Sequence, residues 1–177
     1  SKSIYEKGKT LKSSLAYAKS TETLATTLIV QNMYEEAHIT SQMRNRALAG
    51  DARALESPVV AINIHRGVAA LMVGDLDNAE IPLTNRLERF EKLYGDDHYQ
   101  TAEALALVSI IKFRRGALEE AEAGFRQALP IIAKGTNEEA YSLKSYKHRR
   151  QIILEGYFQL LAQREAKLDT IKRNTLL

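Results

Sequence analysis

One spacing constrains this chain more than any other. Ala37, Ala79 and Ala121 stand 42 residues apart, and the turn-forming Asn32, Gly74 and Gly116 recur at the same interval. So do the large apolar Tyr34, Leu76 and Leu118, and the small Ala25, Gly67 and Ser109. Four columns that keep their type at one period mean that the fold is assembled by stacking copies of a single supersecondary unit.

The pattern inside each copy predicts a helix hairpin. In the third copy, Ala102 to Arg115 carries Leu105, Val108 and Ile111 on one helical face, Gly116 breaks the run, and Leu118, Ala121, Phe125 and Ala128 make the stripe of a second helix. The second copy repeats this with Val68, Leu71 and Met72 before Gly74 and with Leu76, Ala79, Leu83 and Leu87 after it. Glycine between two helical runs takes positive φ and reverses the chain, while Gly67, Ser109 and Ala121 let paired helices approach closely. Ser57 before Pro58, Asp75, Asp97 with Gln100, and Thr136 with Glu139 are expected helix starts. Pro82 should kink its helix, and Pro130 should bend or end the next one. Ser41, Arg44 and Asn45 replace larger apolar residues in the first copy, as expected of a terminal unit whose outer face meets water.

Beyond Thr136 the columns fail, because Phe158 replaces the turn residue and Gln163 the alanine. Helical periodicity continues through Ile152, Ile153, Phe158, Leu161 and Leu168, so one long helix, or two broken at Gly156, should cap the stack. The expected organisation is a single all-α domain, residues 1–177. A degenerate repeat occupies about 12–56, further repeats 57–96 and 97–136, and a helical cap 137–177.

Composition narrows the chemistry. The 177 residues include no cysteine, which removes thiol nucleophiles, disulfides and sulfur-ligated zinc, and only 3 prolines and 9 glycines, too few for the turns of an all-β fold. Hydrophobic residues at 45% and charged residues at 27% suit a folded core, and no apolar run approaches the roughly 20 residues that span a bilayer. His38, His65, His98 and His148 are scattered one per unit, Asp75 to Asn78 lacks the spacing of a calcium loop, and Glu119, Glu120 and Glu122 read as a solvated helix face. No catalytic residue, metal or cofactor is expected. The opening Ser1-Lys2-Ser3 suggests a processed or excised chain, with a soluble cytoplasmic location favoured and a bacterial periplasm compatible.

The segment Ala102 to Ala128, with Leu105, Val108, Ser109, Gly116, Leu118, Ala121, Phe125 and Ala128, resembles a tetratricopeptide repeat, and Gly67, Gly74, Leu76, Ala79 and Leu83 resemble a second copy. The longer period and the connector Leu93 to His98, followed by Thr101 and Ala102, are similar to repeats of the kinesin light chain type. Asn63, Arg66 and Arg86 depart from the family by placing polar groups in apolar or small columns. A fainter likeness links Arg149 to Ala162 with the helix that follows such repeats in bacterial proteins carrying a caspase-like CHAT domain.

The resemblance implies a right-handed superhelix of stacked antiparallel hairpins whose first helices line a concave groove for a partner peptide or helix. By projection the groove is lined by Ile64, Val68, Leu71 and Met72, by Ala106, Ile110, Phe113 and Arg114, and by His148 and Ile152, with Thr26, Ile29 and Val30 on the other side. Each apolar member, taken singly, is equally an ordinary core residue. Ala61, Ile64 and Val68 stand where the family's carboxylate-clamping members present lysine and asparagine, which argues against that subclass. The expected function is a non-enzymatic protein interaction module, monomeric or weakly homodimeric, with no membrane partner. Two alternatives stand beside it. Lys144, Lys147, Arg149 and Arg150 with His148, joined by Arg114 and Arg115, could form a basic edge for an acidic partner or, less favoured, nucleic acid. The chain could also be a regulatory segment of a larger enzyme such as a CHAT peptidase.

Overall fold

The computed structural model describes the backbone of residues 4–48, 64–134 and 144–175, and the side chains of 16–46, 48, 64–134 and 145–168. Among these residues the regular structure is entirely helical: α1 (Ile4–Val30), α2 (Tyr34–Leu48), α3 (Ile64–Met72), α4 (Leu76–Tyr94), α5 (Tyr99–Arg114), α6 (Leu118–Lys134) and α7 (Lys144–Thr175). The period is visible in the element ends. Helices α1, α3 and α5 close at Val30, Met72 and Arg114, each 42 residues after the last, and α2, α4 and α6 open at Tyr34, Leu76 and Leu118 with the same interval.

The three reversals share one hydrogen-bond scheme. Asn32, Gly74 and Gly116 adopt φ of 61°, 82° and 84°. Their amides donate to Ile29, Leu71 and Phe113, and the next amides, of Met33, Asp75 and Ala117, donate back to Leu28, Ala70 and Lys112. These paired bonds satisfy carbonyls that a helix end otherwise leaves open, and they require a left-handed residue between the helices. Asn32 tolerates that conformation, and its side-chain oxygen accepts from the Tyr34 hydroxyl at 2.9 Å.

The chain divides into two compact units, Ser1–Leu93 and Tyr94–Leu177. In the first, Ala25, Ile29, Ala37, Leu48, Ile64, Val68, Leu71, Ala79, Leu83 and Phe90 are buried. A Cβ on Gly67 would lie 2.5 Å from Leu83 Cγ, so α3 and α4 touch where the small residue is required. Asp75 caps α4, accepting from the Asn78 amide at 3.2 Å and from the Asn78 side chain at 2.8 Å, and these bonds hold its carboxyl below the usual range. His38 Nε2 lies 3.2 Å from the same carboxylate and so ties α2 to the start of α4. Pro82 is buried within α4, which nonetheless runs on to Tyr94.

The expectation that Ser41 and Arg44 face water is overturned: they are 5% and 2% exposed. Ala37, Ser41, Arg44 and Leu48 form one buried stripe at helical spacing, because α2 packs against both α1 and α3. The Ser41 hydroxyl donates to the Ala37 carbonyl at 2.9 Å, which removes the cost of burying it.

In the second unit α5 is buried on nearly every side, with α6 and α7 both against it. Its cap is His98 rather than the expected Asp97. The His98 Nδ1 accepts from the Gln100 amide at 3.2 Å while the ring stacks on Tyr94 at 4.4 Å, and the helix then opens with the buried Tyr99. Leu118, Ala121, Phe125, Ala128 and Ile132 form the inner stripe of α6, which continues through Pro130 to Lys134. Ser109, whose hydroxyl donates to the Leu105 carbonyl at 2.8 Å, packs on Gly124, where a Cβ would clash with the hydroxyl oxygen. Helix α7 is continuous. Gly156 does not break it but packs against Ile110, whose Cγ1 a Cβ would approach to 2.7 Å. The expected caps at Ser57 and Thr136 lie outside the described residues.

Candidate functional site

The residues projected onto a groove separate by depth. Ile64, Val68 and Leu71 in the first unit, and Ala106, Ile110 and Ile152 in the second, are buried, as is Ile29. In the isolated chain they serve as core, and the members of this set that reach solvent are Thr26, Val30 and Met72 in the first unit and Phe113, Arg114 and His148 in the second. Val30, Met72 and Arg114 are the last residues of three successive first helices, and each reaches solvent. Met72 also walls a cleft of about 270 Å³ with Val73, Asn32, Tyr34, Glu35 and Glu36. Partial burial lowers the Arg114 pKa from its ordinary value. Burial also lowers that of His148, against the pull of Glu155 and with some help from Arg149, which leaves the ring neutral near pH 7.

The proposed basic edge also separates. Arg149 is 4% exposed, and its Nε donates to Glu103 Oε1 at 2.7 Å, the glutamate being wholly buried. Its guanidinium lies over the Tyr146 ring at 4.5 Å, and Tyr146 meets Tyr99 at 5.5 Å and receives a long bond from the Gln100 amide group. Burial, aided by Glu103, drives the Tyr99 phenol well above its usual range. Arg149 therefore belongs to the joint between α5 and α7 and not to a surface. Lys147 remains exposed and Arg150 half-exposed on α7, while the Lys144 side chain lies outside the described residues.

A second group of charges contains Arg44, Arg66 and Arg86, which stand in the sequence only as departures from the repeat pattern, and Glu22, which the pattern does not mark. Glu22 of α1, Arg44 of α2, Arg66 of α3 and Arg86 of α4 belong to the first unit. Burial raises the Glu22 carboxyl, opposed by Arg44 and Arg86. Burial lowers Arg44, reinforced by Arg66 and opposed by Glu22, and burial likewise lowers Arg66. The Arg86 guanidinium rests on the Phe90 ring at 4.3 Å. The signal that would have found the group is the period itself, because Arg44 and Arg86 are 42 residues apart.

Among the described residues no cluster of three or more His, Cys, Asp or Glu is disposed to hold a metal ion, and no helix is long and apolar enough to cross a membrane. No curated protein and no solved structure matches the chain. A family model does match: residues 59–134 fit the tetratricopeptide repeat, a class of repeat that generally mediates protein–protein interaction. The match takes in α3 to α6, the two hairpins whose glycine turns repeat one another, and the all-helical architecture of the described residues agrees with it, so residues 59–134 are of tetratricopeptide-repeat type.

Proposed function

We propose that the chain is a non-enzymatic interaction module that binds a peptide or helix of a protein partner through side chains left open at the ends of the first helices within each unit. The observation that carries this is the recurrence of a solvent-reaching side chain at one helical position, Val30, Met72 and Arg114, with half-exposed Phe113 beside the last. Buried equivalents elsewhere in these helices make the scaffold rigid, and an apolar side chain held half-open on a rigid helix is a suitable anchor for a partner. The cleft beside Met72 supplies a concavity that a side chain of the partner could enter.

Selection of displayed peptides against the intact chain, followed by affinity measurement, tests this. Met72→Glu and Phe113→Ala should each weaken the selected peptides about tenfold, with the circular dichroism unchanged. Lys147→Glu combined with Arg150→Glu should alter the same affinities by less than about threefold. The reverse order of effects, with a steep dependence on salt, would instead assign binding to the basic face of α7.

A further inference from the structure

Helix α7 has two sides with different surroundings. Ile153, Gly156 and Leu160 are buried against the rest of the second unit, where α7 packs on α5 and α6. On the opposite side Lys147, Leu154, Leu161 and Leu168 recur at intervals of 7 residues, and Gln151, Phe158 and Glu165 make a second column with the same interval. The two columns alternate at spacings of 4 and 3 residues, the pattern by which one helix packs along another. This seam is open: Phe158, Leu161 and Leu168 are 62%, 38% and 53% exposed, and Leu154 is only half-covered.

The charges on the seam decide what fits it. Lys147 stands at its N-terminal end and Glu165 toward its C-terminal end, both exposed, with Leu154, Phe158 and Leu161 between them. Turned end for end, such a seam is its own complement. In an antiparallel pair of α7 helices that sets Leu154 against Phe158 of the partner subunit, the residue count places Lys147 opposite Glu165 of the partner subunit, and the two-fold axis makes each contact twice. A parallel pair would align lysine with lysine and glutamate with glutamate, which repel. Lys147 also lies in the first turn of α7, where the helix dipole disfavours a cation and no acidic residue of that turn offsets it. A carboxylate from a second copy supplies the missing charge.

We propose that the outer face of α7 is a self-association surface on which two copies of the chain pair these helices antiparallel. The contact is one helix against one, with Gln151 opposite Leu161 of the partner subunit, so it belongs at the small and weak end of specific interfaces and forms only as concentration rises. At low concentration the face stays open, as the structure has it. Met72 and Phe113 lie on other helices, and the proposal does not rest on the binding of a peptide.

Sedimentation equilibrium of the intact chain tests this. The mean mass should rise from that of one chain at about 5 µM toward that of two at about 500 µM. Phe158→Glu, at an exposed position, should weaken association about tenfold with the circular dichroism unchanged. Lys147→Glu and Glu165→Lys should each weaken it about threefold, and the two together should return it to within about twofold of the original, because the exchange restores opposite charges across the pair. Lys147 and Glu165 are about 27 Å apart along α7, too far to answer each other within one chain, so an effect on folding alone predicts no such recovery. A single mass up to about 1 mM would overturn the proposal. So would a dimer indifferent to Phe158→Glu, which would put the contact on another face, and charge reversals without recovery in the double variant, which would exclude the antiparallel order. Met72→Glu and Phe113→Ala should leave association unchanged, and Phe158→Glu should leave the affinities of selected peptides unchanged, so the two readings fail on different variants.

Discussion

At the scale of single residues, buried charge decides what the basic run on α7 does. Arg149, Ile152, Gly156 and Leu160 form one inward stripe at helical spacing, and Arg149 enters the core with them to meet Glu103. The sequence periodicity reads instead through Ile152, Ile153, Phe158, Leu161 and Leu168, of which the last three are exposed. The run of neighbouring lysines and arginines hid the inward place of Arg149, because charge runs on helices usually mark solvent. Taking Arg149 away removes the guanidinium that answers the buried Glu103 carboxylate, which costs more than the intact pair contributes. Arg149→Met should therefore lower unfolding stability by about 3–5 kcal/mol, and adding Glu103→Leu should recover most of it. Urea denaturation of the two single variants and the double variant measures this coupling. A loss below about 1 kcal/mol in Arg149→Met would mean that water reaches the pair in solution.

At the scale of elements, glycines at two kinds of position punctuate the hairpins for different reasons. Gly74 has φ of 82° and nothing within 4 Å of where a Cβ would stand, so its role is the reversal alone. Gly67 lies inside α3, where alanine would ordinarily favour the helix by about 1 kcal/mol. There, however, the new Cβ would sit 2.5 Å from Cγ and 2.7 Å from Cδ2 of the wholly buried Leu83. A branched, enclosed side chain has little room to yield, so overpacking of about 1–3 kcal/mol outweighs the propensity gain. Both Gly67→Ala and Gly74→Ala should lower the urea midpoint. Asparagine separates the causes: Asn32 already holds the turn column of the first repeat, so Gly74→Asn should be milder than Gly74→Ala, whereas Gly67→Asn should be the worst of the four. A raised midpoint for Gly67→Ala would show that Leu83 shifts freely. Gly156 shows why the fourth turn was hard to place from sequence. The glycine stands two residues before the column, which Phe158 fills, and it serves close packing on Ile110 while the helix runs through.

At the scale of the molecule, the period made the hairpins, their turns and the family resemblance legible, but not the depth of each side chain. An apolar stripe looks the same in sequence whether it meets a neighbouring helix or a partner, and only the elements on both sides decide. Helix α5 is the extreme case. Thr101 to Ala104 and Ala106 to Ile111 are all buried, so its periodicity fades and residues projected onto a groove become core. Helix α7 is the opposite. Beyond the buried Leu160, every side chain from Leu161 to Lys167 except the half-covered Arg164, which pairs with Glu122, is exposed, as is Leu168. Opening free energy follows burial, so stability should be distributed unevenly along the chain. Hydrogen exchange on the intact protein should find the amides of Thr101 to Ile111 slower than those of Leu161 to Leu168 by about two orders of magnitude or more, a difference of about 3 kcal/mol. Equal protection would mean that the exposed Phe158, Leu161 and Leu168 are covered in solution. If that protection rose with protein concentration, the cover would be a second copy of the chain, because only self-association couples local opening to concentration.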